Sequence, residues 1–360
     1  MSREITCNQF FDGDVLHGPR RIVVADSGLV ESITLHDGAS EYPLICPGFV
    51  DVQMNGLNDV HVANASTENL LELDTALLEC GTTSWLGTIV TASLEKMSAS
   101  LASLHESFQS QQMHGFVGIH VEGPFLGDAP GAHQVIHIVA CDLDWISRLV
   151  PSVRLVTVAP EQTDVIPAIR ALTTRNITVS LGHSRPTKRQ YEEAIEAGAS
   201  MVTHLFNGMS GVHHRDPGLA MWALNDDRIT CGLIADGVHV HTDALTLAFR
   251  AAGSRICLVS DSVAWETPTG PRQGIEIRDG APRLLDGTLA GSCTPLAKCV
   301  QRVVRDCGVP LSSALASATS VPADLAGLAD VGRIQVGQKA DLLALDSELS
   351  VLKAWRRLPS

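Results

Sequence analysis

The sequence predicts an α/β fold: a (β/α)8 barrel of the TIM type, with a small flanking β-sandwich domain built from both chain ends. Its 360 residues suit a barrel of about 250 residues plus one small accessory domain. Eight apolar β-type runs occur in order, most of them continuous, as expected for strands buried on both faces. Four of the runs end in a residue that can bind a metal ion or transfer a proton, and such residues gather at the C-terminal ends of barrel strands.

The predicted strands are short runs rich in apolar and β-branched residues. They are Gly48–Gln53, Thr83–Val90, Phe116–Glu122, Arg154–Ala159, Ile177–Gly182, Met201–Leu205, Ile229–Ala235 and Ile256–Ser260. Several segments between them show helical spacing, and glycine, a common helix terminator, follows most of these. The predicted helices include Leu70–Cys80, Leu94–Phe108, Thr187–Ala197 and Asp243–Ala252. Eight βα units in order favour a closed barrel over an open, doubly wound sheet.

The two ends of the chain differ from its middle. Short β-type runs at Ile22–Ala25 and Leu29–Thr34, and a β-like stretch at Arg333–Asp346, are each too small to bury a core alone. We therefore predict one small β domain from residues 1–46 and 333–360, and a catalytic barrel domain from residues 47–332. A hairpin is predicted over Ile275–Leu289, because Asp-Gly pairs at 279–280 and 286–287 are turn signals.

Composition and charge argue against several classes of partner. A formal net charge of −14 disfavours nucleic acid or an anionic membrane as the main partner, and it means that an anionic substrate needs local cations. No apolar run approaches the ~20 residues of a membrane span, and the N-terminus lacks the apolar segment of a signal peptide. Nine cysteines, an odd number without a Cys-x-x-Cys pair, indicate reduced thiols in a cytoplasmic protein.

Three residues at strand ends have the chemistry of a metal site. Glu122, His183 and His204 end the third, fifth and sixth predicted strands, so a parallel barrel brings them into one mouth. Two imidazoles and a carboxylate suit one divalent ion, with Zn²⁺ favoured and Fe²⁺, Co²⁺ or Mn²⁺ as alternatives, and they leave a fourth position open. A single histidine is more often structural, but three ligand-type residues at three strand ends favour a metal site.

Asp261 ends the eighth predicted strand, between Ser260 and Ser262. A carboxylate there can accept a proton from an attacking water and return it to a leaving amine. A helix N-cap is the alternative, which a Ser-Asp-Ser sequence also suits. The metal-site residues favour the acid–base role.

Arg215 is the best single candidate for holding a phosphate group. Its planar guanidinium matches two phosphate oxygens at once, and it lies on the loop that continues from His204 and Asn207. Asn207 could bind a hydroxyl or carbonyl group, and His239, which closes the seventh strand, could assist Arg215. An ordinary surface arginine is the alternative.

These residues lie in motifs that cover nearly the whole chain. The motifs are Pro47-Gly-Phe-Val-Asp51-Val-Gln53-Met-Asn55-Gly56, His120-Val-Glu122-Gly-Pro-Phe, Gly182-His183-Ser, Thr203-His204-Leu-Phe-Asn207-Gly-Met, Arg215-Asp-Pro-Gly-Leu, Ala235-Asp-Gly-Val-His239, Leu258-Val-Ser-Asp261, Leu289-Ala-Gly-Ser292 and Gly337-Gln-Lys-Ala-Asp341-Leu. On these motifs the chain resembles the N-acetylglucosamine-6-phosphate deacetylases of the amidohydrolase superfamily. The pairing of Thr-His-Leu-Phe-Asn with Arg-x-Pro-Gly is specific to that family within the superfamily.

The resemblance implies hydrolysis of N-acetyl-D-glucosamine 6-phosphate to D-glucosamine 6-phosphate and acetate, in amino-sugar catabolism. It implies that Glu122, His183 and His204 hold the metal ion and that Asp261 is the acid–base. It also implies a homodimer in which Arg215 reaches the active site of the partner. The residues expected to line the sugar-phosphate site or to adjoin the metal ion are Gln53, Ala132, His133, Asn207, Gly208, Arg215, His239, Leu289, Ala290 and Gly291.

The chain departs in several places from the pattern of the family that it resembles. Much of the superfamily has His-x-His after the first strand for a second metal ion, where this chain has Gln53-Met54-Asn55. Because neutral amides are poor zinc ligands, we predict one ion per chain. The segment Leu126–His133 is short and lacks the family's frequent basic residues, and Val263–Glu266 replaces a sequence of small residues. These two changes surround the mouth and bear on the choice of sugar.

Three other functions remain open from the sequence. The same chemistry could act on N-acetylgalactosamine 6-phosphate or on an unphosphorylated N-acetyl sugar. A catalytically inactive binding protein would require a lost ligand or a lost Asp261, and the sequence shows neither. A cyclic-amide hydrolase would be supported by a carboxylated lysine at a strand end, and no lysine stands at a matching place.

Overall fold

The computed structural model describes residues 2–356 apart from 268–269 and 272–273, with the backbone alone for 266–267 and 270–271. The strands up to the first barrel strand are β1 (Arg3–Phe11), β2 (Leu16–His17), β3 (Arg20–Val24), β4 (Val30–Leu35), β5 (Tyr42–Pro47) and β6 (Phe49–Met54). The next are β7 (Gly56–Leu57), β8 (Val60–His61), β9 (Thr82–Val90), β10 (Phe116–Glu122), β11 (Val153–Val158), β12 (Thr178–Leu181), β13 (Met201–Val202), β14 (Thr230–Ile234) and β15 (Ile256–Val259). The last are β16 (Glu266–Thr267), β17 (Gly270–Pro271), β18 (Ile275–Arg278), β19 (Ala281–Leu284), β20 (Leu342–Leu345) and β21 (Val351–Trp355).

The predicted barrel is confirmed. Eight parallel strands pair in chain order, β6, β9, β10, β11, β12, β13, β14 and β15, and each predicted strand starts within one residue of its observed start. One predicted strand, Met201–Leu205, is wrong at its end, because the observed strand stops at Val202. The backbone leaves the ladder there, since His204 has a φ of 30°, which no β-strand residue adopts.

The barrel closes between its first and last strands. The contact is one parallel bridge between Met54 and Ser262, and the Asn55 and Gly56 N–H groups both donate to the Ser262 carbonyl, at 2.9 and 3.0 Å. Below it, one oxygen of buried Asp51 accepts from the Gln53 and Ser260 N–H groups. This closure brings the segment after the first strand against the segment after the eighth.

Helices cover the outside of the barrel. They are α1 (Thr67–Glu79), α2 (Leu94–Gln109), α3 (Leu143–Ser147), α4 (Val165–Thr174), α5 (Lys188–Ala197), α6 (Leu219–Asn225), α7 (Thr242–Ala252), α8 (Leu296–Cys307), α9 (Leu311–Ala316) and α10 (Ser320–Leu325), with 3₁₀ turns at Val62–Asn64, Val135–His137 and Gly253–Arg255. Side-chain caps fix several starts: Ser66 begins α1, Ser93 begins α2, and Thr187 forms a capping box with Gln190 on α5. The four helices predicted from spacing are confirmed.

The chain ends meet in one mixed sheet of seven strands. Its order is β21, β20, β5, β1, β3, β4, with β2 paired to β1. Leu342 on β20 lies opposite Pro47 on β5, so the C-terminal strand extends the sheet directly beside the barrel's first strand. Ile5, Ile22 and Ile45 form the core of this sheet.

The β-like prediction for Arg333–Asp346 is correct only over Leu342–Leu345. Residues 333–341 run across the edge of the sheet, where the Gly337 N–H donates to the Val30 carbonyl and the Ala340 N–H to the Gly28 carbonyl. The division of the chain at residues 46 and 333 stays a prediction, and residues 357–360 of that segment lie outside the described part. Within the described residues no helix has the length and apolarity to cross a membrane, and all nine cysteines are free thiols.

Candidate active site

The four side chains predicted to bind the metal ion or to transfer a proton lie at the C-terminal edge of the barrel. Glu122 is the last residue of β10, and His183, His204 and Asp261 each lie two residues beyond β12, β13 and β15. The last three have positive φ values of 48°, 30° and 48°. Residues other than glycine rarely adopt this conformation, and such strain concentrates at functional sites. The strained turns carry these side chains over the barrel mouth.

Three donor atoms converge at the centre of this mouth. His183 Nε2 lies 3.3 Å from Glu122 Oε1, His204 Nε2 lies 3.1 Å from the same oxygen, and the two Nε2 atoms are 3.0 Å apart. All three side chains are buried. His133 Nε2 lies 3.1 Å from His183 Nε2, so a fourth donor borders the group.

This geometry fits a divalent metal ion. Donors at about 2.0–2.1 Å from a tetrahedral zinc ion are about 3.3 Å from one another, close to the separations found here. Two imidazole nitrogens that face each other need either a proton or a shared cation between them. The His183 Nδ1 atom lies 3.1 Å from the Ala129 carbonyl, so it can donate its N–H there and keep the Nε2 lone pair towards the centre.

Gly208 makes room for this histidine. Its φ is +54°, and a Cβ at this position would lie 2.8 Å from His183 Nδ1. A larger residue would therefore push the ring of His183 away from Glu122 or break its bond to Ala129. The predicted site residue Gly208 has a positional reason to be glycine.

The charges of the site are set by burial and by mutual contact. Burial alone raises the pKa of the Glu122 carboxyl, but hydrogen bonds from His183 and His204 outweigh it and hold that pKa well below its usual range. Burial, followed by the charge of His183, lowers the pKa of His133 to about 3, so this ring is neutral. Glu122 is therefore an anion, and His133 has a lone pair available for a metal ion or a substrate group.

Asp261 is held by two amides and has an unusual acidity. Asn55 Nδ2 donates to Asp261 Oδ1 at 2.7 Å, and Gln53 Nε2 donates to the same oxygen at 3.2 Å and to Glu122 Oε1 at 3.1 Å. Burial, followed by the negative charge of Glu122, raises the pKa of Asp261 to about 7. A carboxylate with this pKa can both take up and release a proton near neutral pH.

We expect Asp261→Asn to stabilise the metal-free protein at neutral pH. The pKa of Asp261 is raised from 3.8 to about 7, so the folded chain keeps this proton at pH values where the unfolded chain has lost it. Folding stability therefore falls as pH rises through this interval. Asparagine carries no charge and keeps an oxygen that can accept from Gln53 and Asn55. Urea unfolding should show the variant more stable than the wild type at about pH 8, with a smaller difference at about pH 4.5. Equal stability at the higher pH would contradict this.

A layer of polar side chains fills the barrel beneath the donors. His120 Nε2 lies 2.9 Å from Thr157 Oγ1, which lies 2.8 Å from Thr203 Oγ1, and Thr203 is bonded in turn to Ser180. Burial lowers the pKa of His120 to about 4, so the ring is neutral. These internal bonds link four adjacent strands under the site and satisfy the buried hydroxyls.

A cavity of about 600 Å³ opens above the donors. The structure brings most of the predicted site residues to its wall: Glu122, Ala132, His133, His183, His204, Asn207, Gly208, His239, Asp261, Leu289, Ala290 and Gly291. His239 is oriented by Asp236, whose Oδ2 lies 2.7 Å from the His239 Nδ1 atom.

Two predicted residues do not line this cavity. Gln53 is buried beneath it, with its amide on Glu122 and Asp261. Arg215 is exposed on a loop whose residues 211–216 are all exposed, outside the cavity of its own chain. Gln53 thus orients acidic groups, and Arg215 is free to reach beyond its own chain.

Sequence reasoning missed other residues of the wall. These are His61, Val90, Thr91, Gln134, Ile234, Ile275, Arg283, Leu284 and Thr288, together with Asn55, Gly131, Val263 and Ala264, which lie within the motifs or altered segments but were not predicted as site residues. The side chain of Glu266, in the altered stretch Val263–Glu266, lies outside the described part. The predicted hairpin is confirmed as β18 and β19, and its Asp279-Gly280 turn was the one signal that could have pointed to Arg283.

The chain is similar over most of its length to known proteins. The chain matches the Amidohydrolase family over residues 44–358. It is 32% identical to N-acetylglucosamine-6-phosphate deacetylase of Vibrio furnissii, over 95% of this chain and 92% of that protein. It is 36% identical to N-acetylgalactosamine-6-phosphate deacetylase of Shewanella sp. (strain ANA-3), over 86% and 80%. Among solved structures, an Asp-to-Ala variant of N-acetyl-D-glucosamine-6-phosphate deacetylase from Mycobacterium smegmatis, in complex with N-acetyl-D-glucosamine-6-phosphate, has a TM-score of 0.92 and 28% identity, over 99% of this chain and 98% of that chain.

Proposed function

Because the chain belongs to the amidohydrolase family, we propose that it hydrolyses the acetamido bond of N-acetyl-D-glucosamine 6-phosphate, yielding D-glucosamine 6-phosphate and acetate. One observation carries the proposal: a proton-transferring carboxylate, Asp261, shares the cavity with the converging donors Glu122, His183 and His204. A deacetylase needs these two functions side by side. The curated relatives with this activity span almost the same length of chain.

We assign Glu122, His183 and His204 as ligands of one divalent ion, with zinc favoured. Such an ion, when bound, polarises the acetyl carbonyl and makes water a better nucleophile at neutral pH. Gln53 and Asn55 support a single ion, because their amide NH₂ groups point at the carboxylates of Glu122 and Asp261. A second ion bound to these carboxylate oxygens would have to displace the amide N–H groups that they now accept from.

Asp261 carries the proton in both halves of the reaction. It takes a proton from the attacking water as the new C–O bond forms at the acetyl carbonyl. It then protonates the amine nitrogen as the C–N bond breaks, because an unprotonated amine is a poor leaving group. Asn55 and Gln53 hold the carboxylate in place, while His133 and His239 face the same cavity to orient the acetamido group and the sugar.

Arg215 is assigned to the phosphate, from the partner subunit of a homodimer. Its exposure outside its own cavity supports this assignment, as do two exposed apolar residues: Val212, on the same loop, is 44% exposed, and Ile136, on a different loop, is 83% exposed. Both lie close in sequence to cavity-lining residues, so burying them against a second copy would place the loop of Arg215 near the partner's cavity mouth. The cytoplasmic location stays a prediction.

Arg215→Ala should raise KM for the 6-phosphate sugar and leave activity on the unphosphorylated sugar nearly unchanged. A desolvated charge-assisted contact of this kind is worth about 2–5 kcal/mol, which corresponds to at least a ~30-fold change. Arg189→Ala is the matched control, because Arg189 is exposed and paired with Glu193 on the surface of α5. Equal losses on both sugars would make Arg215 a structural residue.

Mixed dimers test whether Arg215 acts across the interface. Asp261→Asn chains mixed with Arg215→Ala chains create one site that has Asp261 and receives an intact Arg215 from the other chain. We expect activity above that of either parent, approaching about half of wild type per dimer. Activity no higher than the parents would place Arg215 in its own chain's site or outside catalysis.

The galactosamine epimer is the second candidate. The chain is as similar to an N-acetylgalactosamine-6-phosphate deacetylase as to the glucosamine enzymes, at 36% against 32–36% identity. Acetate release should therefore be compared for both 6-phosphates and both unphosphorylated sugars with zinc-loaded protein. We expect the highest kcat/KM on N-acetylglucosamine 6-phosphate; a higher value on the galactosamine epimer would exchange the two assignments.

A further inference from the structure

We propose that Arg283 binds the substrate phosphate from within the same chain, a proposal that rests on the deacetylase function. Among the described residues of the cavity wall, Arg283 is the single arginine or lysine. It lies on β19, in the hairpin with β18, and no motif of the sequence pointed to it. Arg215, which the sequence favours for the phosphate, lies outside this wall.

The hairpin fixes the position of the Arg283 guanidinium. Its Nη1 donates to the Gly287 carbonyl at 2.9 Å, and its Nε donates weakly to the Arg278 carbonyl at 3.4 Å. Arg283 also pairs through an antiparallel bridge with Leu289, one of four successive residues, 288–291, that line the cavity. These contacts hold the half-buried side chain against the cavity wall beside residues 289–291, which are expected to line the sugar-phosphate site, so little of its freedom is lost on binding.

The positive charge of Arg283 is not neutralised by any carboxylate of the described residues, so it is available to an anionic ligand. No carboxylate of the described chain forms an ion pair with it, whereas Arg278 on the same hairpin is paired with Glu276. Its Nη2 group has no acceptor among the described residues. The same cavity contains Glu122 and Asp261, whose carboxylates would repel an anionic substrate. An unpaired guanidinium with a free N–H edge supplies the opposing charge and the donors that phosphate oxygens accept.

Arg283→Gln tests the proposal, with Arg278→Gln as the matched control. The control removes the same charge from the same hairpin at an exposed position. For zinc-loaded Arg283→Gln we expect KM for N-acetylglucosamine 6-phosphate to rise ~10–100-fold, with less than a ~3-fold change for unphosphorylated N-acetylglucosamine. Arg283→Lys, which keeps the charge and loses the fork, should fall between. The control should match wild type.

Calorimetry provides a readout that does not depend on turnover. Glucosamine 6-phosphate should bind Arg283→Gln more weakly than wild type by the same factor. Equal losses on the two sugars, unchanged binding of glucosamine 6-phosphate, or an equal effect of Arg278→Gln would each overturn the proposal. Absence of acetate release by wild type would instead refute the deacetylase function, and the binding comparison would still decide the role of Arg283.

Chain mixing distinguishes Arg283 from Arg215. When Asp261→Asn chains are mixed with Arg283→Gln chains, every site with an intact Asp261 carries the Arg283 substitution in its own chain. We therefore expect no recovery of activity on the 6-phosphate sugar, in contrast to the Arg215 mixture. Recovery would show that Arg283 serves the partner's site and would overturn its assignment within the chain.

Discussion

Asp261→Asn should lower kcat by about 10²–10⁴-fold while substrate still binds. Asparagine has nearly the same shape and can keep the bonds from Asn55 and Gln53, but it cannot accept the proton of the attacking water. Single-turnover acetate release measures the chemical step, and calorimetry with N-acetylglucosamine 6-phosphate measures binding. Near-wild-type kcat would exclude Asp261 as the proton carrier.

The pH dependence of wild-type kcat/KM should reflect the ionisation of Asp261. Asp261 must be ionised to accept a proton, so kcat/KM should fall as pH drops through its pKa. Burial and the charge of Glu122 raise that pKa to about 7 in the protein alone, and a bound cation favours the anion and moves the fall to lower pH. The residual activity of Asp261→Asn should lack this limb; an unchanged acid limb in the variant would assign it to another group.

Removal of the metal ion should abolish activity, and one divalent ion per chain should restore it. Among the described residues, Glu122, His183 and His204 provide one set of converging donors, and the Gln53 amide beside them donates a hydrogen bond to Glu122. His183→Ala and His204→Ala should both lose the ion, as measured by elemental analysis after gel filtration. Zinc added to the chelated wild type should return full acetate release.

His105→Gln is the control for these substitutions. His105 is a partly buried histidine on α2 whose Nδ1 lies 2.9 Å from Ser152 Oγ, outside the site. It should retain one ion and normal activity. Two tightly bound catalytic ions per chain, or full activity of chelated protein, would contradict the single-ion assignment.

The fold could be predicted because its signals are local. Strands buried on both faces read as continuous apolar runs, so Phe116–Glu122 was located without error, and the helices between strands showed their own spacing. Strand ends were harder, because leaving a ladder depends on tertiary contacts. Thr203 to Leu205 has a strand-like composition, yet the turn that aims His204 at Glu122 ends the strand at Val202.

The centre of the site could also be predicted, because parallel strands of a barrel end at the same edge. From that rule alone, without any distances, the sequence predicts that four residues lie close together: Glu122, His183, His204 and Asp261. Contacts made by long loops could not be predicted from the sequence. One example is the hydrogen bond between the Ala129 carbonyl and His183 Nδ1. Another is the position of the β18–β19 hairpin, which places Arg283 on the cavity wall.

The deacetylase activity itself can be measured by incubating zinc-loaded protein with N-acetylglucosamine 6-phosphate and quantifying both products. We expect equimolar acetate and glucosamine 6-phosphate, formed at a rate that a chelator abolishes and that Asp261→Asn reduces by at least ~100-fold. Absence of acetate from the zinc-loaded wild type, or release at the same rate by Asp261→Asn, would contradict it.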